Sequence, residues 1–133
     1  MTSKPPAEIQ TLIDTHISGF NTQNRDLFLS VFGDNAIIID GIAPYRWFSP
    51  GAPARWLADV ENWRKVNRVV EEHLTYEMGF WNMEEPYAYA VISGTLTVRL
   101  MGQSVIRTGT LAYAFAKHDG TWKIEAQAWG RTS

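Results

Sequence analysis

Residues 87–100 read Tyr87-Ala88-Tyr89-Ala90-Val91-Ile92-Ser93-Gly94-Thr95-Leu96-Thr97-Val98-Arg99-Leu100, and their reading decides the fold. Tyr87, Tyr89 and Val91 fall on one face of a period-two pattern, and Ala88, Ala90, Ile92, Leu96 and Val98 on the other. Alternation of this kind, with aromatic and β-branched residues, makes a strand, expected over Pro86–Met101. A strand that is apolar on both faces needs a cover on each. Turns at Gly102 and at His118-Asp119-Gly120 lead to two further strands over Gln103–Lys117 and Thr121–Gly130. Upstream, from Val69 onward, Val70, Leu74, Tyr76, Met78 and Phe80 oppose Glu71, His73, Thr75 and Glu77, which predicts a fourth strand with one dry and one wet face.

Before these strands the period is helical. Ile9, Leu12, Ile13, Ile17 and Phe20 recur at i, i+3, i+4 spacing after Pro5-Pro6 and predict a helix over Ala7–Phe20. A polar break at Asn21–Asn24 precedes a short helix over Arg25–Phe32, ended by Gly33-Asp34. Ala36-Ile37-Ile38-Ile39-Asp40 is a β-branched run too short for a core helix and reads as a buried strand. Gly41–Pro53 is a Pro- and Gly-rich loop studded with Tyr45, Trp47 and Phe48, placed to cover something. Trp56, Leu57, Val60 and Trp63 restore helical spacing over Ala54–Asn67. The order predicts an α+β fold, a curved antiparallel sheet wrapped as a cone-shaped barrel around three N-terminal helices. The doubly apolar strand points to a homodimer through the outer face of the sheet.

The 133 residues make a single domain over 1–133, with no repeat, linker or low-complexity tract. At 45% hydrophobic and 20% charged the chain has ample apolar material for one core. A formal charge of -2 gives no electrostatic footprint for nucleic acid or an anionic membrane. Apolar runs stop at about six residues, whereas a span needs about twenty. With no cysteine, disulfides, thiolate nucleophiles and zinc ribbons are excluded. The opening Met1-Thr2-Ser3-Lys4-Pro5-Pro6 has no apolar signal stretch, so a cytoplasmic location is expected. His16, His73 and His118 lack metal-ligand spacing, and there is no phosphate loop or Gly-x-Ser-x-Gly elbow. Neither a metal nor another cofactor is expected.

Two residues look wrong for structure alone. His16 falls near the centre of the apolar arc of the first helix, where a polar side chain costs a few kcal/mol unless something inside the cone pairs with it. Asp40 ends the apolar strand on the same face as Ile38, and apolar neighbours raise a carboxyl pKa toward the range of a general base. The plainer alternatives are a satisfied core histidine and an Asp-Gly turn. Glu125, Gln127 and Trp129 alternate on the last strand, on a face whose direction a single bulge would reverse. Tyr45, Trp56 and Trp63 are candidates to line a ligand cavity, whereas Arg64, Lys65 and Arg68 read as a solvated helix end.

Ile9-Gln10-Thr11-Leu12-Ile13 through His16, Phe28–Phe32, Asp34-Asn35-Ala36, Asp40, Gly51 and the closing Gly120-Thr121-Trp122-Lys123-Ile124 together form a familiar pattern. The chain resembles the nuclear transport factor 2-like superfamily over Ala7–Gly130, most of all its SnoaL-like polyketide cyclase and ketosteroid isomerase branch. The resemblance implies a cystatin-like cone. It sets Asp40 where ketosteroid isomerases keep a proton-shuttling Asp, and His16 where they keep an oxyanion-donating Tyr. Leu111 takes the place of their second Asp, so half of that oxyanion hole is missing, and Trp129 matches a pocket Trp. Fold alone does not assign function in so varied a superfamily.

Two functions follow as expectations. In the first, Asp40 removes an acidic proton next to the carbonyl of a small apolar compound while neutral His16 donates to the developing oxyanion, as an isomerase, cyclase or dehydratase. Tyr45, Trp47, Trp56, Trp63, Leu111, Tyr113, Gln127 and Trp129 would bind the substrate. A direct His16–Asp40 hydrogen bond would instead make a dyad with His16 as proton carrier. In the second, the cone is a non-catalytic ligand-binding or dimerisation module. A cavity bordered by both residues and reached past the Tyr45–Phe48 loop separates the two.

Overall fold

A computed structural model describes residues 4–133, so the first three residues of the opening hexapeptide lie outside the described part. The chain runs α1 (Ala7–Asn21), α2 (Arg25–Leu29), β1 (Phe32–Ile39), β2 (Arg46–Trp47), α3 (Ala52–Val66), β3 (Val70–Glu84), β4 (Tyr87–Leu100), β5 (Gln103–His118) and β6 (Thr121–Arg131). All six strands join one curved, unclosed sheet in the order β2-β1-β6-β5-β4-β3. Strands β3 to β6 pair antiparallel, as expected. The pairing of β1 with β6 is parallel, so the sheet is mixed at that side.

The differences from expectation are local. The second helix stops at Leu29, and Phe32 begins β1 instead of ending α2. Asn24 caps α2 by accepting from the Leu27 N–H at 3.1 Å. Three bulges reset the faces of the long strands, and the first, between Val70 and His73, leaves Val70 exposed instead of on the dry face with Leu74. Met78 pairs with Ile92 and Phe80 with Val91, leaving Gly79 unpaired, so Phe80 turns outward instead of joining Tyr76 and Met78. In β6 the register steps from Phe115↔Ile124 to Ala114↔Ala126, so Glu125 is the extra residue. Trp122 and Ile124 therefore point inward before the bulge, and Gln127 and Trp129 after it.

The core lies between the concave face and the helices. Ile9, Ile13 and Ile17 of α1, Phe28 of α2 and Trp56, Leu57 and Val60 of α3 meet Ala90, Ile92, Leu111, Phe115 and Ile124 of the sheet. In β4 the even residues Ala88, Ala90, Ile92 and Val98 are buried, whereas Tyr87 and Tyr89 are exposed on the convex face beside Phe80. One close approach shapes the concave floor. Gly94 and Gly109 pair across β4 and β5, and the Trp129 indole lies over both. A Cβ at Gly109 would stand 2.7 Å from Trp129 Cζ2 and 2.6 Å from the Gly130 carbonyl oxygen, so glycine is what lets that ring lie flat against the sheet.

Candidate functional site

Helix α1 and the end of β1 bring His16 and Asp40 to one cavity of about 200 Å³. Its wall is largely apolar: Ile17, Phe20, Val60, Leu74, Leu96, Val98, Leu100 and Leu111, with Trp56, Trp63 and Trp129. The exposed residues Gly41 and Arg131 also border it, so the cavity opens to solvent.

Asp40 follows Ile38 with the parity of the strand, and its backbone N–H donates to the Tyr45 carbonyl at 3.1 Å. Its carboxylate is held at both oxygens. Trp56 Nε1 donates to Oδ2 at 2.7 Å, and the Gly41 N–H donates to Oδ1 at 2.6 Å. Burial raises the Asp40 pKa above its ordinary value, while the Trp56 and Gly41 hydrogen bonds pull it back. The product is a fixed carboxylate of enhanced basicity at the edge of an apolar space. Trp56 is itself fixed by stacking on Phe28, with ring centroids 5.2 Å apart at 14°.

His16 is 4% exposed, packed edge-on against Phe32 and Tyr113 and tilted against Phe28. Burial lowers its pKa from 6.5 to about 3, so the imidazole is neutral at any ordinary pH. Its Nδ1 stands 2.7 Å from the Tyr113 hydroxyl. Burial pushes the Tyr113 phenol well above its ordinary pKa, which keeps the hydroxyl proton in place. That hydroxyl has no second partner among the described residues. If it accepted from Nδ1–H, its own proton would be buried without an acceptor, at a cost of about 1–3 kcal/mol. Tyr113 O–H therefore donates to Nδ1, and the ring carries its proton on Nε2. Nε2 has no protein partner and is not sealed from the cavity. The Gln127 amide, on a buried residue of β6, is likewise unpartnered and borders the same space.

Seven of the ten expected site residues line this cavity: His16, Asp40, Trp56, Trp63, Leu111, Gln127 and Trp129. Three do not. Tyr45 is exposed on the loop and Trp47 is buried in the core, its Nε1 donating to Asp59 Oδ2 at 2.7 Å. Tyr113 stands behind His16 as its hydrogen-bond partner, outside the lining. The loop borders the cavity through Gly41 and Ile42, not through residues 45–48. No hydrogen bond joins His16 to Asp40 among the described residues: Asp40 accepts from Trp56 and Gly41, His16 Nδ1 pairs with Tyr113, and Nε2 does not reach the carboxylate, so the dyad is not formed.

Sequence reasoning missed three charged residues that border the cavity, Glu72, Arg107 and Arg131. Glu72 of β3 faces inward, its side chain 5% exposed, and Arg64 Nε donates to it at 2.8 Å. Arg64 also lies over the Phe20 ring at 5.5 Å, so it belongs to the core and not to a solvated helix end. Arg107 of β5 shares the parity of Leu111, which was the signal available for it. Among the described residues no group of His, Asp and Glu could hold a metal ion, and no helix is long and apolar enough to cross a membrane.

No protein-family model matches the chain, and no curated protein matches it. Solved structures do. A ketosteroid isomerase-like protein from Erwinia carotovora atroseptica SCRI1043 superposes with a TM-score of 0.81 at 13% identity, covering 99% of both chains. A hexachlorocyclohexane dehydrochlorinase, LinA-type3, from Novosphingobium barchaimii LL02 gives 0.76 at 17% identity, over 96% of this chain and 86% of the other. A protein with a cystatin-like fold from Caulobacter vibrioides gives 0.69 at 16% identity, over 95% and 88%. On this likeness the chain shares the α+β fold of these structures, the one described as cystatin-like in the Caulobacter protein.

Proposed function

We propose that this protein is an enzyme that removes a proton from the carbon next to a carbonyl group in a small, mostly apolar molecule. One observation carries the reading: a hydrogen-bonded carboxylate and an uncharged imidazole N–H open on the same apolar cavity, each with its remaining atoms already committed. Asp40 takes the proton. The electron pair moves to the carbonyl oxygen, where His16 Nε2–H meets the growing negative charge and the Gln127 amide is a second donor. Asp40 then returns the proton to a different carbon, giving isomerisation, or to a departing β-hydroxyl oxygen, giving dehydration. A positioned base is worth about 10²–10⁴-fold and one oxyanion donor about 10²–10³-fold. The solved neighbours include a ketosteroid isomerase-like protein and a dehydrochlorinase, which supports isomerase or lyase chemistry for the fold.

The test is hydrogen–deuterium exchange of small ketones such as cyclohexanone and indan-2-one in D2O, followed by proton NMR. Wild-type protein should speed exchange at the carbon next to the carbonyl at least ten-fold over buffer, and Asp40→Asn should not. Ketones that bind the cavity without any acceleration would make it a binding module. The exposed Phe80, Tyr87 and Tyr89 on the convex face support the further reading that a second copy of the chain covers that face.

A further inference from the structure

Charge on the cavity wall is unevenly matched. Glu72 is neutralised by Arg64, and the Asp40 carboxylate is held by Trp56 and Gly41. Arg107 has no such counterpart. The guanidinium groups of Arg25, Arg68 and Arg107 make no hydrogen bond, ion pair or ring contact with the described residues, and of these residues only Arg107 is half-buried and borders the cavity. Arg46, Arg55, Arg64, Arg99 and Arg131 all donate to oxygen atoms of the chain. A guanidinium drawn half out of water without an acceptor loses hydration and receives nothing back.

The register says where this cation stands relative to the chemistry. Leu111 pairs with Trp129 and Gly109 with Arg131, and Arg107 follows two residues beyond Gly109 on the same concave face. At about 3.3 Å per residue, Arg131 and Arg107 lie roughly 7 and 13 Å along the sheet from the Leu111–Trp129 pair. On the neighbouring strand, Ile39 pairs with Ala128, which sets Asp40 level with that pair. The cavity therefore has an anionic end at Asp40, level with Leu111, an apolar middle where the Trp129 indole lies over Gly94 and Gly109, and a cationic end at Arg107, whose cross-strand neighbour is Leu96.

We propose that the cavity takes a small apolar molecule ending in a carboxylate, with the carboxylate on the Arg107 guanidinium and the reacting carbon beside Asp40. This deepens the proton-abstraction reading above and rests on it for the orientation of the reacting end. The planar fork of Arg107 matches a carboxylate bidentately, and Arg131 at the rim adds a second positive charge. The Asp40 carboxylate repels the same group, so the molecule enters in one direction only.

The probes are octanoate and its neutral isostere octanamide, with dissociation constants read from the fluorescence of the tryptophans that line the cavity. Wild-type protein should bind octanoate at least ten-fold more tightly than octanamide. Arg107→Gln should erase that preference by weakening octanoate at least ten-fold more than octanamide, whereas Asp40→Asn should keep it. Equal affinities in the wild type, or no octanoate binding up to millimolar concentration, would overturn the proposal without recourse to any variant. A preference that survives in a folded Arg107→Gln protein would also overturn it. The two readings fail separately: loss of ketone exchange leaves the octanoate preference standing, and loss of the preference leaves exchange of neutral ketones standing.

Discussion

Acid should unfold this protein partly through His16, by an amount the structure sets. In the folded chain burial holds the imidazole pKa at about 3, against 6.5 when exposed. Below 6.5 the unfolded chain takes up a proton that the folded chain refuses, so the stability tied to neutral His16 is complete above that pH and is lost as the pH falls toward 3. At 1.36 kcal/mol for each pH unit, the full loss is about 5 kcal/mol, of which about 3 kcal/mol has gone by pH 4. Asp40 acts with the opposite sign. Its raised pKa makes its contribution greatest below about 3.8 and progressively lost as the pH rises, and it is common to wild type and variant. The perturbation is His16→Gln, which carries no charge at any pH and can still accept from the Tyr113 hydroxyl. Urea unfolding from pH 7.5 to pH 4 is the assay. The wild type should lose about 3 kcal/mol more than the variant over that interval, or roughly 1–3 M in the urea midpoint. Parallel curves for the two proteins would refute the buried, neutral histidine.

Tyr113→Phe should slow ketone exchange about ten-fold at unchanged ketone affinity and cost about 1–3 kcal/mol in urea unfolding, because His16 loses the donor that fixes its tautomer. Trp56→Phe removes the strongest interaction lowering the Asp40 pKa, so the acid limb of the exchange rate against pH should move to higher pH. Glu in place of Phe80 and Tyr89 should convert a dimer to monomer in sedimentation at micromolar concentration with the fold intact; a wild-type monomer would refute the expected pairing.

Much of the architecture could be read from the chain, for a physical reason. Periodicity in α1 and β1 is regular over enough residues to assign faces, so His16 fell in the apolar arc and Asp40 on the face of the buried Ile38. What escaped was set by single residues or by distant pairing. The bulges at Gly79 and Glu125 each reverse a face, and nothing in the local alternation marks them. Tyr113 meets His16 across 97 residues, and Glu72 meets Arg64 only once β3 has folded back on α3. Trp47 looked like a loop aromatic facing a ligand, but β2 pairs with β1 and carries it into the core. The parallel pairing of β1 with β6 is equally silent in the sequence, because the two strands lie at opposite ends of the chain.

Nuclear magnetic resonance of protein carrying ¹⁵N-labelled histidine and ¹³C-labelled aspartate, titrated between pH 4.5 and 8, reads both reacting groups in one sample. His16 should stay neutral and protonated at Nε2 throughout, its Nε2–H signal should move when a phenolate is added as an oxyanion mimic, and the Asp40 carboxyl should titrate above the ordinary aspartate value. An imidazolium, an Nδ1-protonated ring, or a His16 signal indifferent to the phenolate would contradict the site as described.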